Sequence, residues 1–333
     1  MTGTAKVNFF ITKDGILKRK QNTVYFINKE VKRILPIEKI YTIYAHGRIS
    51  FSSGVVAYLS KYGVPIHFFG KYGNYEGSFY PKETLLSGEV LVKQAQHYLD
   101  NVKRFELAKE IISGMADNIK LNLQYYERNE KNLSEEIAKI EMLSQKISEY
   151  ETINELMAIE GNIWSNYYQS FSKFLPEKFE LGERTRRPPN NMLNCMISFG
   201  NSLLYGSIIT EIYNTQLNPT ISFLHEPSER RFSLALDISE IFKPLIVDRI
   251  IFKLINLKMI NENDFVQEMN SCLLNENGKK LFLKEYDEKL KTTIKHRTLK
   301  KNVSYQRLIR LECYKIIKHL IGMKKYSAFR MWW

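Results

Sequence analysis

Near residue 88 the chain changes its hydrophobic period, and that change limits its fold more than any other feature. Before it, short apolar and β-branched runs recur at Val7–Thr12, Thr23–Ile27, Ile40–Ala45, Val64–Phe69 and Tyr75–Tyr80. Turn signals such as Asp14-Gly15 and the glycines at 70 and 73 separate them. One helix interrupts, from about Ser53 to Tyr62. Ser52 or Ser53 can cap its start and Gly63 can end it. Val64 to Phe69 reads as a buried strand entered through Pro65. After Gly88 strand signals almost vanish and amphipathic helical periodicity takes over. Helices are predicted in 89–150 and at 152–173, 192–215, 233–259, 262–272, 276–296 and 303–322. The expected fold is α+β: a small β-rich, β-sandwich-like domain over 1–81, a linker over 82–89, and a larger all-α domain over 90–333.

Charge points to the partner class. The 333 residues carry a formal net charge of +13. Residues 1–88 hold 13 Lys+Arg against 5 Asp+Glu, a net of +8, and the rest holds 36 against 31, a net of only +5. Such an excess favours a polyanion: DNA, RNA or an acidic membrane surface. The cysteines, Cys195, Cys272 and Cys313, are odd in number and far apart, which argues against a disulfide framework or a CxxC zinc site. The start resembles no signal peptide, and no apolar run is read as reaching the ~18 residues that span a bilayer. The expected location is the reduced cytosol, with no membrane partner.

Several segments could carry chemistry. Gly182 to Asn191 contains Pro188-Pro189, so it is a loop; it displays Arg184, Arg186 and Arg187 just ahead of a new helix. Arginine forks suit phosphate oxygens, though the same loop could pair its arginines with Glu183. In the helix that follows, Asn194, Ser198 and Asn201 share one face, and Gly200 sits mid-helix, where close packing usually explains a glycine. Asp237 and Glu240, three apart, lie in an otherwise apolar helix before Pro244. A buried unpaired carboxylate is costly, so these acids need a partner: Lys243 or an arginine serves, and a divalent metal serves equally well. Glu160 falls on the apolar stripe of Leu156, Ile163 and Tyr167, beside Gly161, which suggests close approach of backbone or substrate. His225 precedes Glu226-Pro227, whereas His67 belongs to the buried strand and has no catalytic role. A histidine plus carboxylates on separate helices makes an oxygen-rich site better suited to Mg²⁺ or Mn²⁺ than to structural zinc.

Ordered blocks carry a resemblance. Met157 to Asn162, Glu183 to Pro189, Ile197 to Tyr205, Phe223 to Glu226, Phe232 to Pro244 and Val247-Asp248-Arg249 resemble the CRISPR-associated Cas-one family, the integrase of spacer acquisition in antiviral defence. Pro65 to Phe69 and Tyr72 to Gly77 add to it, so the resemblance covers essentially the whole chain. It implies a β-rich domain that forms homodimers, a helical catalytic domain, and a small dimeric partner protein, Cas-two. It also implies divalent-metal-dependent cleavage of double-stranded and branched DNA, and transesterification by a DNA 3′-hydroxyl at the repeat boundary. The family's metal ligands fall on Glu160, His225 and Glu240. Many relatives carry aspartate where this chain has Glu240. Asp237 matches a family acid, read as supporting the ligands or as an alternative one. Arg184, Arg186, Arg187, Asn194, Ser198 and Tyr168 fall near the site and are assigned to DNA phosphates or to orienting the ligands. The competing reading is a non-catalytic DNA-binding assembly subunit of the same complex.

Overall fold

The computed structural model describes residues 6–129, 132–186, 188–227 and 232–332. Eight strands come first: β1 (Val7–Ile11), β2 (Gly15–Lys20), β3 (Thr23–Ile27), β4 (Lys32–Leu35), β5 (Ile40–Ala45), β6 (Ile49–Phe51), β7 (Ile66–Phe69) and β8 (Tyr75–Phe79). Helix α1 (Ser53–Lys61) sits between β6 and β7, and Gly63 ends it at φ +64°. The strands form two four-stranded sheets, ordered β1-β5-β7-β8 and β4-β3-β2-β6. Leu17, Val24, Leu35, Ile43, Val55, Leu59 and Ile66 fill the core they share. This is the expected sandwich-like unit.

The first sheet is covered on both faces. Ile43 points into the sheet-on-sheet core, while its neighbour Tyr44 belongs to the helical core. That is why β5 reads as a continuous apolar run and not an alternating one. The helices follow: α2 (Gly88–Leu99), α3 (Asn101–Glu127), α4 (Ser134–Lys146), α5 (Ile153–Gln169), α6 (Met192–Tyr213), α7 (Ser233–Phe242), α8 (Arg249–Asn256), α9 (Glu276–Lys291) and α10 (Tyr305–Leu320). The second part is not purely helical. Residues 262–272, expected as helix, instead hold most of a hairpin of β9 (Phe265–Glu268) and β10 (Ser271–Leu274). A second hairpin pairs β11 (Thr293–Lys295) with β12 (Asn302–Ser304).

Helix α6 is the axis. Among the described residues it alone is long and apolar enough to cross a bilayer, contrary to the expectation that no such run exists. Yet 72% of that stretch is buried inside the protein, as for a core helix apolar all round. A Cβ on Gly200 would lie 2.5 Å from Val247 Cγ1, so close packing explains that glycine. Polar groups pin α6 to the first sheet. Tyr44 Oη bonds Ser207 Oγ at 2.6 Å, and Ser207 bonds Tyr286 Oη at 2.7 Å. Tyr41 donates to Glu211 at 2.6 Å, and Arg310 reaches both.

His67, fully buried on β7, bonds Ser78 Oγ at 2.6 Å and Thr210 Oγ1 at 2.7 Å. Burial pushes its pKa down from 6.5 to about 3. The unfolded chain therefore takes up this proton below about pH 6.5, while the folded protein refuses it until about pH 3. The stabilisation is full above pH 6.5 and is lost as pH falls through that window, by at most about 1.4 kcal/mol per unit. Urea midpoints at pH 7.5 and 5.0 should fall more for the wild type than for His67→Gln. Equal falls would show that His67 takes up its proton as readily in the folded protein as in the unfolded chain.

Candidate active site

Three elements converge. Helix α5 begins at a capping box: Thr152 N–H donates to Glu155 at 2.9 Å, and Glu155 N–H to Thr152 Oγ1 at 3.3 Å. Its buried face, Leu156, Ile159, Ile163 and Tyr167, then sets Glu160 beside α7. Gly161 faces open space among the described residues, so none of their backbone accounts for it.

The loop before α7 carries His225. Asp237, fully buried on α7, organises that loop. It accepts the backbone N–H of Phe223 at 2.6 Å, of Leu224 at 3.0 Å and of His225 at 2.9 Å. It also takes the His225 Nδ1–H at 2.9 Å. With Nδ1 protonated, Nε2 keeps its lone pair, as a metal-binding histidine requires. Burial opposes protonation of His225, but the Asp237 hydrogen bond and charge outweigh it and hold the pKa above the ordinary value.

Arg104 on α3 clamps the loop from the other side. Its Nε donates to Phe223 O at 2.9 Å and its Nη2 to Glu226 at 2.6 Å, with Tyr98 Oη on the same carboxylate at 3.0 Å. The sequence reading missed Arg104. Its signal is an arginine on the buried stripe of α3, next to Leu107, Ala108 and Ile111.

Glu240 lies one turn beyond Asp237 and is 2% exposed. Trp164 Nε1 donates to one of its oxygens at 2.8 Å and Lys243 Nζ to the other at 2.5 Å. Of the partners left open for this acid, the structure supplies Lys243. Burial alone would raise the Glu240 pKa, yet Lys243 and His225 hold it below the usual value. Glu160 moves the opposite way: burial and then the Glu240 charge hold it above the carboxylate range. The two acids and His225 are therefore close enough to act on one another. Among the described residues no three His, Cys, Asp or Glu side chains form a preassembled ligand cage. The donor set nonetheless fits a hard divalent ion: two crowded carboxylates and an imidazole whose free nitrogen is fixed by a carboxylate behind it.

After α7 the helix changes pitch. Pro244 lacks an N–H, and residues Pro244–Asp248 form a π-turn in which Asp248 N–H reaches Lys243 O at 3.1 Å. Asn118 and Asn122, one turn apart on α3, donate to Ile241 O at 3.1 Å and Pro244 O at 2.6 Å.

The arginine loop is partly structural. Arg184 Nη1 donates to Asn194 Oδ1 at 3.0 Å and Nη2 to Ser198 Oγ at 3.1 Å, and Tyr168 on α5 lies against it. Asn194 also holds Thr185 N–H and Glu183 O, so it shapes the loop. Arg186 is exposed. Arg187 lies outside the described residues.

A family model described as "CRISPR associated protein Cas1" matches residues 9–288. The chain belongs to the Cas1 family. It is 56% identical over 326 residues to the CRISPR-associated endonuclease Cas1 of Methanothermobacter thermautotrophicus, covering 98% of this chain and 95% of that one. The solved structure of a CAS1 protein from Thermotoga maritima superimposes with a TM-score of 0.87 at 36% identity, covering 97% of this chain and all of the other. A casposase bound to integration product matches with a TM-score of 0.88 over 96% of this chain, but at 20% identity it speaks for the fold alone.

Proposed function

We propose that the chain is a divalent-metal-dependent DNA endonuclease and integrase of CRISPR adaptation, with Mg²⁺ or Mn²⁺ held by Glu160, His225 and Glu240. The observation that carries this reading is the convergence of those three side chains from α5, a loop and α7, with Asp237 fixing the tautomer and place of the imidazole. A bound divalent ion would polarise a phosphodiester and lower the cost of forming an oxygen nucleophile, either a DNA 3′-hydroxyl or water.

The chain's own residues do the positioning. Asp237 and Arg104 hold the His225 loop rigid, so the Nε2 lone pair stays directed without being bought at the moment of reaction. Trp164 and Lys243 hold the Glu240 carboxylate in one orientation. Arg184, anchored on Asn194 and Ser198, orients its loop and the facing Tyr168, and the exposed Arg186 is left to meet backbone phosphate. Arg187, by its place in the sequence, and the basic strand-rich half are assigned to phosphate binding as well. The protein divides at about residues 82–89 into a homodimerising β-rich unit and a catalytic helical unit, and a small Cas2 dimer bridges two such homodimers.

Stripping the protein with EDTA is expected to abolish cleavage of a labelled branched duplex and strand transfer into a repeat-bearing plasmid. Adding back Mn²⁺ or Mg²⁺ restores both. Undiminished activity in excess chelator would favour a metal-free mechanism, and DNA binding without any cleavage under all conditions would favour the non-catalytic assembly subunit.

A further inference from the structure

We propose that Lys243 is a resident counter-ion that gives up its place on Glu240 when a divalent ion binds, and that Asp248 is the seat to which it moves. The inference rests on the metal reading above. Both oxygens of Glu240 are engaged: Trp164 donates to one and the Lys243 ammonium to the other. A carboxylate so buried needs a neutralising charge, and Lys243 provides it. An ion that coordinates Glu240 brings two positive charges to within a few ångströms of that ammonium. Repulsion at such range is strong in a poorly solvated site, where little water screens it. Lys243 has to leave, and its side chain is too enclosed, at 19% exposure, to swing freely into water.

Asp248 fits the vacated need. It is 1% exposed, and among the described residues its Oδ2 has no hydrogen-bond partner, which is rare for a buried carboxylate oxygen. Lys243 and Arg184 are cations that act on it, and Tyr167, Tyr168 and Glu240 are among its other polar neighbours. The π-turn is what puts it there. Five residues along an α-helix lie about 140° apart around the axis. Closing the turn with an Asp248 N–H to Lys243 O bond brings the two side chains toward one face. A helix defect of this sort, anchored by Pro244 and by Asn122 on its carbonyl, is costly to maintain and calls for a purpose at the site. Asp248 is thus a positioning residue that acts through Lys243 and touches neither DNA nor metal.

The exchange is tested by titrating the metal-free full-length protein with Mn²⁺, reading bound ion by calorimetry or electron paramagnetic resonance. Asp248→Asn leaves Lys243 without a seat and should weaken Mn²⁺ binding about tenfold. Lys243→Gln removes the competitor and should tighten binding about fivefold or more. In the Lys243→Gln background, Asp248→Asn should change affinity by less than about twofold. A tenfold loss that persists in that background overturns the exchange, because Asp248 would then act by packing alone. Should Asp248→Asn fail to fold, Lys243→Gln decides by itself, and unchanged or weaker Mn²⁺ affinity overturns the idea. His225→Ala, run alongside, separates the two levels of inference. If it binds Mn²⁺ as well as the wild type, the ligand assignment fails and the exchange falls with it.

Discussion

Replacing His225 by alanine is expected to lower metal-dependent cleavage and strand transfer at least about a thousandfold, the equivalent of roughly 4 kcal/mol of barrier, while the protein stays folded. The two halves of that expectation have separate causes. The imidazole is the only nitrogen donor assigned to the site, and its loss leaves two crowded carboxylates to hold an ion alone. The fold is spared because the loop is not held by the imidazole. Asp237 keeps the backbone N–H groups of Phe223, Leu224 and His225, and Arg104 keeps Phe223 O and Glu226. The measurement is strand transfer of a 3′-hydroxyl duplex into a supercoiled repeat plasmid, beside a thermal melt of the same preparation. A variant that transfers at the wild-type rate would remove His225 from the site. A variant that melts far below the wild type would instead make the imidazole a structural group.

The contrast between what the residues announce and what they hide follows from range. The change of period near residue 88 is local information, and so are the all-apolar α6 and the strand-entering Pro65. Glu160 and Glu240 are legible as acids on apolar helical faces, because burial of a carboxylate is visible in its neighbours. What such a carboxylate meets is set by elements far away in sequence. Lys243 and a metal were equally good partners for Glu240 on paper, and only the packing of Trp164 against α7 shows the lysine in place. Arg104, Asn118 and Asn122 were missed because each serves a backbone carbonyl more than a hundred positions away, and carbonyls leave no trace in sequence. The hairpin at 265–274 was misread for another reason. Its turn is only Met269-Asn270, and Met269 adopts φ +46°, a conformation that favours glycine or asparagine. With no glycine at the turn and strands of four residues, helical periodicity won by default. Arg184 shows a subtler limit. Its loop position suggested a phosphate-binding fork, yet two of its nitrogens are already engaged by α6.

Asp237→Ala should be the most damaging single change outside the assigned ligands. The side chain is fully buried and accepts four hydrogen bonds, three of them from consecutive backbone N–H groups. Removing it strands those donors away from water at about 1–3 kcal/mol each, partly offset as the loop relaxes, for a net loss of roughly 3–5 kcal/mol. The melting temperature should drop by about 4–7 °C. Asp237→Asn is no rescue, since its amide NH₂ would face donors where an oxygen now stands. Activity should fall further than stability does. Even at 20 °C, where the variant is mostly folded, His225 has lost the group that sets its tautomer and its position, and ligand support of that kind is worth about 10–100-fold. Thermal melts read the first effect and strand transfer at 20 °C the second. If Asp237→Ala melted with the wild type, the loop would owe its shape to Arg104 alone. If it were destabilised but fully active at 20 °C, Asp237 would be a fold residue with no hold on the chemistry of His225.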